Sequence, residues 1–284
     1  MPESFSRKLE ASFSQSQLCV GIDPHKELLI ENNYELNVKG LERFSFDLLD
    51  KLSGIVSIVK PQVSFFESFG SAGFKVLENL LTEATSRGLL VIADAKRGDI
   101  GTTMQAYADA WLSKDAPFIC DALTVSPYLG VGSLSPAISA AAERGKGLFI
   151  LSATSNKEGK TIQTALVNET TVANQIANEV AQLNKVTATS KGKFGHLGLV
   201  IGATLDRYKF GLESINHGST ELITPILAPG FGAQGALLSQ ARTIFGENAS
   251  NVVYSISRSA LRDGMSAVAS AVSLDVAELA EALG

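Results

Sequence analysis

Apolar, β-branched runs recur along the chain, each closed by polar or Gly/Pro residues and followed by a stretch of helical periodicity. The runs read LCVGID to Asp23, GIVSIVK to Lys60, LLVIAD to Asp94, ICDALTV to Val125, GLFILS to Ser152, LGLVIG to Gly202, ITPILA to Ala228 and NVVYSIS to Ser257. Successive ends lie 37, 34, 31, 27, 50, 26 and 29 residues apart. A strand, a helix and two turns need about 30. Strands apolar at nearly every position belong to a parallel sheet covered on its outer face. Eight such units in about 250 residues predict a closed (β/α)8 barrel, an α/β fold of the TIM-barrel type, rather than an open doubly wound sheet. No linker composition divides the chain, so residues 1–284 are expected to form one domain, with the Ala-rich stretch 266–283 as the eighth helix. The 50-residue interval, 153–202, holds an amphipathic stretch over 171–183 between polar flanks, so this connection is lengthened, as a lid or as surface decoration.

Composition narrows the partners. The chain has 284 residues, 45% of them apolar, with 29 acidic and 24 basic residues and a net charge of −5. Basic residues are scattered rather than clustered, which argues against a nucleic-acid surface. No apolar run approaches the roughly 18 residues of a spanning helix, and the start carries Arg7, Lys8 and two Glu without a signal-peptide core. A cytoplasmic protein with no membrane partner is expected. Cys19 and Cys120 each sit in an apolar run and are expected to be buried, reduced thiols. His25, His196 and His217 fit no metal-ligand spacing, and three histidines with two cysteines speak against a zinc site, while other metal dependence is not decided by them; no cofactor is expected.

Chemistry in such barrels lies at the carboxyl ends of the strands, and here those ends are charged. Asp23 ends the first run, Lys60 the second, and Asp94 with Lys96 the third. One isolated charge would be a solvated rim residue; three successive strands point to a site. If the chain stays extended from Asp94 to Lys96, their i, i+2 spacing points both side chains at the barrel axis. Opposite charges about 4 Å apart attract by roughly 4 kcal/mol at an effective dielectric near 20. The lysine then stays protonated, which suits a general acid and disfavours a Schiff-base nucleophile. A salt-bridged strand terminus accounts for the same spacing. Asp99 falls where the chain turns, so its carboxylate would serve another pocket, such as a neighbouring subunit's.

A second constellation follows strands seven and eight. APGFGAQGA supplies flexible backbone and Gln234, and SISRSAL places Ser257 and Arg258 near a helix N-terminus. Exposed N–H groups beside a guanidinium make an anion cradle at the usual barrel phosphate position. A phosphorylated small molecule is the expected ligand. Trp111, Phe65 and Phe66 read as packing, His25 as an ordering residue of the first loop, and Lys157, Glu158 and Lys160 as a solvated loop.

These residues resemble those of the orotidine 5'-phosphate decarboxylase family, whose D-x-K-x-x-D signature stands here as Asp94, Lys96 and Asp99 in DAKRGDI. DAKRGDIGTT, GIDPH, VKPQ, TVSPYLG, ATSN and PGFGAQG together resemble the longer bacterial subclass (type 2), and the similarity covers essentially the whole chain. The resemblance implies a carbon–carbon lyase that converts orotidine 5'-monophosphate to uridine 5'-monophosphate in de novo pyrimidine biosynthesis. It implies that Lys96 protonates C6 after carbon dioxide leaves, and that Asp94 stands beside the substrate carboxylate. Asp99 and Thr103 would be supplied across a homodimer interface, so that a monomer would be incomplete. Asp23 and Lys60 match the ribose-binding and charge-network residues, Thr154 the hydroxyl that contacts the pyrimidine, and Gln234 and Arg258 the phosphate grip. Ser152 and Ser155 flank Thr154 closely enough to take its place.

Two other readings share parts of this pattern. Magnesium-dependent sugar-phosphate decarboxylases and synthases of the same suprafamily carry D-x-K-x-x-D but use an acid at the second strand end as a metal ligand. Lys60 occupies that position here, and a cation there opposes a metal. A non-catalytic barrel that only binds a phosphorylated ligand would keep Gln234 and Arg258 without the charged set.

Overall fold

The computed structural model describes residues 3–187, 192–216 and 222–284; His217 lies outside them. Eight parallel strands close into a barrel: β1 Leu18–Ile22, β2 Ile58–Pro61, β3 Leu90–Arg97, β4 Ala122–Val125, β5 Gly147–Ala153, β6 Leu197–Ile201, β7 Ile226–Pro229 and β8 Val252–Ile256. Each pairs with its sequence neighbour, and β8 returns to β1 with Cys19 opposite Ser255. The eight apolar runs of the sequence are these strands, and the expected TIM barrel is the observed fold.

The helices follow from the same periodicities. An N-terminal α1 (Phe5–Gln15) precedes the barrel, and α2 (Val38–Leu52), α3 (Gly70–Ser86), α4 (Gly101–Trp111) and α5 (Ser135–Arg144) follow the first four strands. The fifth is followed by α6 (Val172–Thr187), the seventh by the short α7 (Ala241–Phe245) and the eighth by α8 (Val268–Leu283). In α2, Leu41, Phe44, Leu48, Leu49 and Leu52 are buried at helical spacing. Its first turn is capped by Asn37, whose Oδ1 accepts the Gly40 N–H at 2.9 Å.

The expectation of a helix after every strand fails once. Between β6 and β7 the described residues hold only a 3-10 turn, Arg207–Phe210. Gly211, at φ +67°, ends it in the left-handed conformation after four residues. The long fifth connection is a short helix (Gly159–Gln163), a two-stranded hairpin (Leu166–Val167 with Thr170–Thr171) and α6, which holds the predicted amphipathic stretch from Val172, the second residue of that stretch, onward.

Two apolar layers result. One lies between the strands and the helices. The other fills the barrel itself with Cys19, Ile58, Ile92, Phe149, Leu227 and Val253. Helix α1 plugs the barrel floor, a role its sequence pattern did not announce. Phe5 packs edge-on against Phe149 at 5.8 Å between centroids, and Leu9 is fully buried beside it, each worth about 1.5–3 kcal/mol of burial. A Cβ on Gly147 would lie 2.6 Å from the Phe5 ring, so the start of β5 admits only glycine there. The plug is anchored by Lys8, whose ammonium lies 2.6 Å from Asp121 Oδ1. Cys19 and Cys120 are buried and unpaired, Cys120 just ahead of β4 rather than within it. Trp111 is buried and stacks on Phe118 at 4.4 Å. The floor is thereby sealed with apolar groups, and the charged residues gather at the opposite, carboxyl end.

Candidate active site

At that end a cavity of about 270 Å³ is lined by Asp23, Lys60, Asp94, Lys96, Thr154, Gln234, Ser257 and Arg258, all given roles from the sequence, together with Gln62 and Thr124, which stood only inside the motifs VKPQ and TVSPYLG without a role. Asp99 and Thr103 are outside its lining. The Asp99 carboxylate accepts the Ile100 N–H at 2.8 Å, and Thr103 is exposed on the first turn of α4. A larger cavity of about 860 Å³ opens beside the 3-10 turn that follows β6, lined in part by Arg207 and Phe245. It holds none of the strand-end charges, so the smaller one is the candidate site.

Asp94 is the hub. Its Oδ2 lies 2.8 Å from Lys60 Nζ and its Oδ1 2.6 Å from Lys96 Nζ. Asp94 and Lys60 are only 7% and 5% exposed, whereas the Lys96 side chain opens to the cavity. Burial alone would raise the Asp94 carboxyl, but the Lys60 and Lys96 ammoniums overcome it and hold the group well below the usual carboxylate range. Burial would likewise lower Lys60, and Asp94 and then Asp23 outweigh it, so this lysine is held above its ordinary value and stays charged.

The juxtaposition of Asp94 and Lys96 does not arise from the extended chain that their spacing suggested. Opposite β4, Ala93 pairs with Leu123 and Arg97 with Val125, so residues 94–96 form a bulge facing the single residue Thr124. Lys96 sits at φ +48°, in the left-handed region that costs a non-glycine residue about 1–2 kcal/mol. Contacts on both sides hold it there. The Thr124 hydroxyl accepts the Lys96 N–H at 2.9 Å and donates to Asp94 Oδ1 at 2.8 Å. Gln62 donates to the Asp94 carbonyl at 3.1 Å and accepts from Lys96 Nζ at 3.3 Å. Arg97 leaves the bulge outward, paired with Glu67 and lying over Tyr107 at 5.5 Å.

Across the mouth, Asp23 Oδ2 accepts the Ser257 hydroxyl at 2.5 Å. Its other oxygen, Oδ1, is buried without a partner among the described residues, an open acceptor. Gly21 lets these groups meet, since a Cβ there would lie 2.9 Å from Ser257 Cβ. Of the three neighbouring hydroxyls after β5, Ser152 points away and donates to the Ala173 carbonyl of α6 at 2.9 Å. Thr154 faces the cavity and is braced by Gln163, which binds both its N–H and its Oγ1, at 2.9 and 2.8 Å. Ser155 reaches across to Gln234 Oε1 at 3.0 Å, linking the loops after β5 and β7.

The loop after β7 turns through Gly230, Gly232 and Gly235, all at positive φ. Arg258 opens a 3-10 helix of four residues, Arg258–Leu261, rather than a long α-helix. Its guanidinium has no carboxylate partner among the described residues and lines the cavity. One end of the site is thus cationic and unpaired, the other a closed charge network. Among the described residues no three His, Cys, Asp or Glu side chains gather as metal ligands, and no helix is long and apolar enough to cross a membrane. His25 stands at the N-cap of the short helix Lys26–Glu31 with Nδ1 2.8 Å from Glu27.

The sequence model of the orotidine 5'-phosphate decarboxylase / HUMPS family matches residues 16–268. A curated orotidine 5'-phosphate decarboxylase of Streptomyces coelicolor is 44% identical over 268 residues, 92% of this chain and 91% of that protein. One of Salinispora tropica is 43% identical over 269 residues, 94% of this chain and 93% of that protein. Among solved structures, a Streptomyces avermitilis chain assigned the same name superposes with a TM-score of 0.90 at 43% identity, covering 99% of this chain and 96% of that one. The OMP decarboxylase of Leishmania donovani gives 0.78 at 26% identity over 98% of both chains. On this match and these relatives, which agree with the strand-end charges, the chain belongs to the orotidine 5'-phosphate decarboxylase / HUMPS family.

Proposed function

We propose that this chain decarboxylates orotidine 5'-monophosphate to uridine 5'-monophosphate and carbon dioxide, as a metal-independent carbon–carbon lyase of de novo pyrimidine biosynthesis. The observation that carries the reading is the Lys60–Asp94–Lys96 array, with two ammoniums on one buried carboxylate at the cavity wall. The names of the relatives supply the substrate.

Loss of carbon dioxide from the pyrimidine leaves an electron pair at a ring carbon with no conjugated sink, so stabilisation must be electrostatic. In this reading the bond from C6 to the carboxylate breaks and the pair stays on C6. A proton of the Lys96 ammonium then moves to C6, and the neutral amine regains one from water. Asp94, unable to protonate near neutral pH, faces the substrate carboxylate; that repulsion disappears as neutral carbon dioxide leaves. Lys60 keeps Asp94 charged and places a cation where a metal site would need a ligand with a lone pair. Asp23 Oδ1 is free to accept a ribose hydroxyl, Thr154 meets the base, and Gln234, Ser257 and Arg258 with the glycine loop hold the phosphate. Binding energy at the phosphate, remote from C6, helps hold the site in its reactive arrangement.

The working unit in this proposal is a homodimer. Asp99 and Thr103 stand outside their own cavity, and Ile100, Tyr128 and Leu129 nearby are 61%, 78% and 54% exposed, a surface suited to a second copy. The test is direct: purified protein, orotidine monophosphate and a chelator, following the orotate absorbance band. The band is expected to disappear; a band that persists with and without added magnesium would overturn the proposal, and one lost only when magnesium is present would overturn its metal independence.

A further inference from the structure

We infer that Thr124, at the cavity end of β4, is a positioning residue of this site, its single hydroxyl fixing at once the backbone of Lys96 and the carboxylate of Asp94. The inference deepens the decarboxylase reading and rests on it. Its basis is a hydrogen-bonding sequence with only one possible direction. The Lys96 amide can only donate, so the Thr124 oxygen at 2.9 Å must accept. The hydroxyl then has one proton, and the nearest acceptor for it is Asp94 Oδ1 at 2.8 Å. The hydroxyl is buried, 1% exposed, so water does not compete for either bond.

The bulge explains why a side chain does this work. In a regular parallel ladder the amide at this position would bond a neighbouring backbone carbonyl. Here three residues face one, and Thr124 Oγ1 substitutes for the missing partner. Among the described residues with positive φ other than glycine, the rest are Asn33, Asn168, Glu169 and Asn216, all outside the barrel strands; Lys96 alone is in one. The strain is therefore local to the proton donor. Releasing it would swing the lysine stem, because φ at Lys96 sets where Cβ points. Asp94 is coupled to the same event: Oδ1 takes both the Lys96 ammonium and the Thr124 hydroxyl, while Oδ2 takes Lys60. Removing the hydroxyl loosens donor and acid together and leaves the phosphate and ribose contacts untouched.

Thr124→Val keeps the shape and removes both bonds; Thr124→Ser keeps both bonds and removes a methyl. The experiment is steady-state decarboxylation of orotidine monophosphate by each variant, with uridine monophosphate affinity by calorimetry. Thr124→Val is expected to lose roughly 10- to 100-fold in kcat, the scale of a misplaced reacting group, with KM and product affinity within about threefold of the parent. Thr124→Ser is expected to restore kcat to within about threefold. If Thr124→Val does not accumulate folded, Thr124→Cys, of similar volume and with a weak thiol donor, carries the same split between kcat and binding. Full kcat in Thr124→Val, equal impairment in Thr124→Ser, or a parallel loss of product affinity would each overturn the positioning role. A parent protein that does not decarboxylate the nucleotide would instead sink the underlying reading, and the inference with it.

Discussion

Replacing Asp94 with Asn removes the one carboxylate that the two ammoniums share. Lys60, 5% exposed, would then keep its burial and lose its nearest counter-ion at 2.8 Å. Breaking a buried pair from one side costs about 3–5 kcal/mol, because a charge is left without compensation. Residual attraction from Asp23 and the partial exposure of Lys96 favour the lower figure. With an unfolding entropy of about 2.1 cal/mol/K per residue, 284 residues give about 0.6 kcal/mol/K, so the melting temperature should fall by about 5–8 °C. The pH dependence has a definite sign. Asp94 is held below its ordinary value of 3.8, so its contribution is complete above that value and is lost as pH falls through the lower folded value. Lys60 is held above 10.5, so its contribution is complete below that value and is lost only in strong alkali. In the parent neither group titrates between pH 5 and 9, but in Asp94→Asn burial is no longer offset by Asp94 and pushes Lys60 down, so the difference should shrink as pH rises and Lys60 sheds its proton, and shrink again below about pH 4. Circular-dichroism melts of both proteins across this range are the assay. A variant as stable as the parent throughout this range, or a difference that grows as pH rises, would refute the buried charge network.

Three further outcomes can be checked separately. Arg258→Ala should raise KM for orotidine monophosphate by about 10- to 100-fold, the worth of a charge-assisted bond to phosphate, without lowering the melting temperature; an unchanged KM would remove Arg258 from the phosphate grip. His196 is lowered by burial from 6.5 to about 4, so its neutral form favours folding above 6.5 and that contribution is lost as pH falls towards 4. The loss amounts to about 3 kcal/mol, and His196→Gln should flatten stability over that range, whereas parallel pH curves for the two proteins would contradict it. Gly232 sits at φ +72° with its would-be Cβ 2.2 Å from Ser259 Oγ, so Gly232→Ala should cost about 1–3 kcal/mol in a thermal melt and weaken phosphate binding. An unchanged melt and KM would show that the loop tolerates a side chain there.

The barrel was legible because buried parallel strands are apolar on both faces, and such runs stand out between polar turns. The charges of Asp23, Lys60 and Asp94 were legible for the same reason: nothing else in those runs is charged. Gln62 was also within reach, since it follows Lys60 at the i, i+2 spacing used for Asp94 and Lys96. Thr124, though it opens the quoted motif TVSPYLG, showed no role, because in ALTV a threonine reads as an ordinary β-branched strand residue, and only the register with β3 shows its hydroxyl facing the bulge. The bulge itself leaves no mark in the sequence: the left-handed residue is a lysine, held there by tertiary hydrogen bonds instead of by glycine. That the described residues between β6 and β7 hold a 3-10 turn and no α-helix was hidden by the regular 26-residue spacing of the strand ends, which counts residues without showing how they fold. The floor plug escaped notice because Phe5 and Leu9 lie in a segment with mixed charge, and their burial depends on the open barrel beneath strands far away in sequence.

The proton-donor role of Lys96 is tested most directly by Lys96→Ala. Orotate absorbance followed beside calorimetric titration with uridine monophosphate should show turnover abolished and nucleotide binding still measurable, since Asp23, Gln234 and Arg258 remain in place. Near-normal loss of the orotate band in that variant would contradict the account.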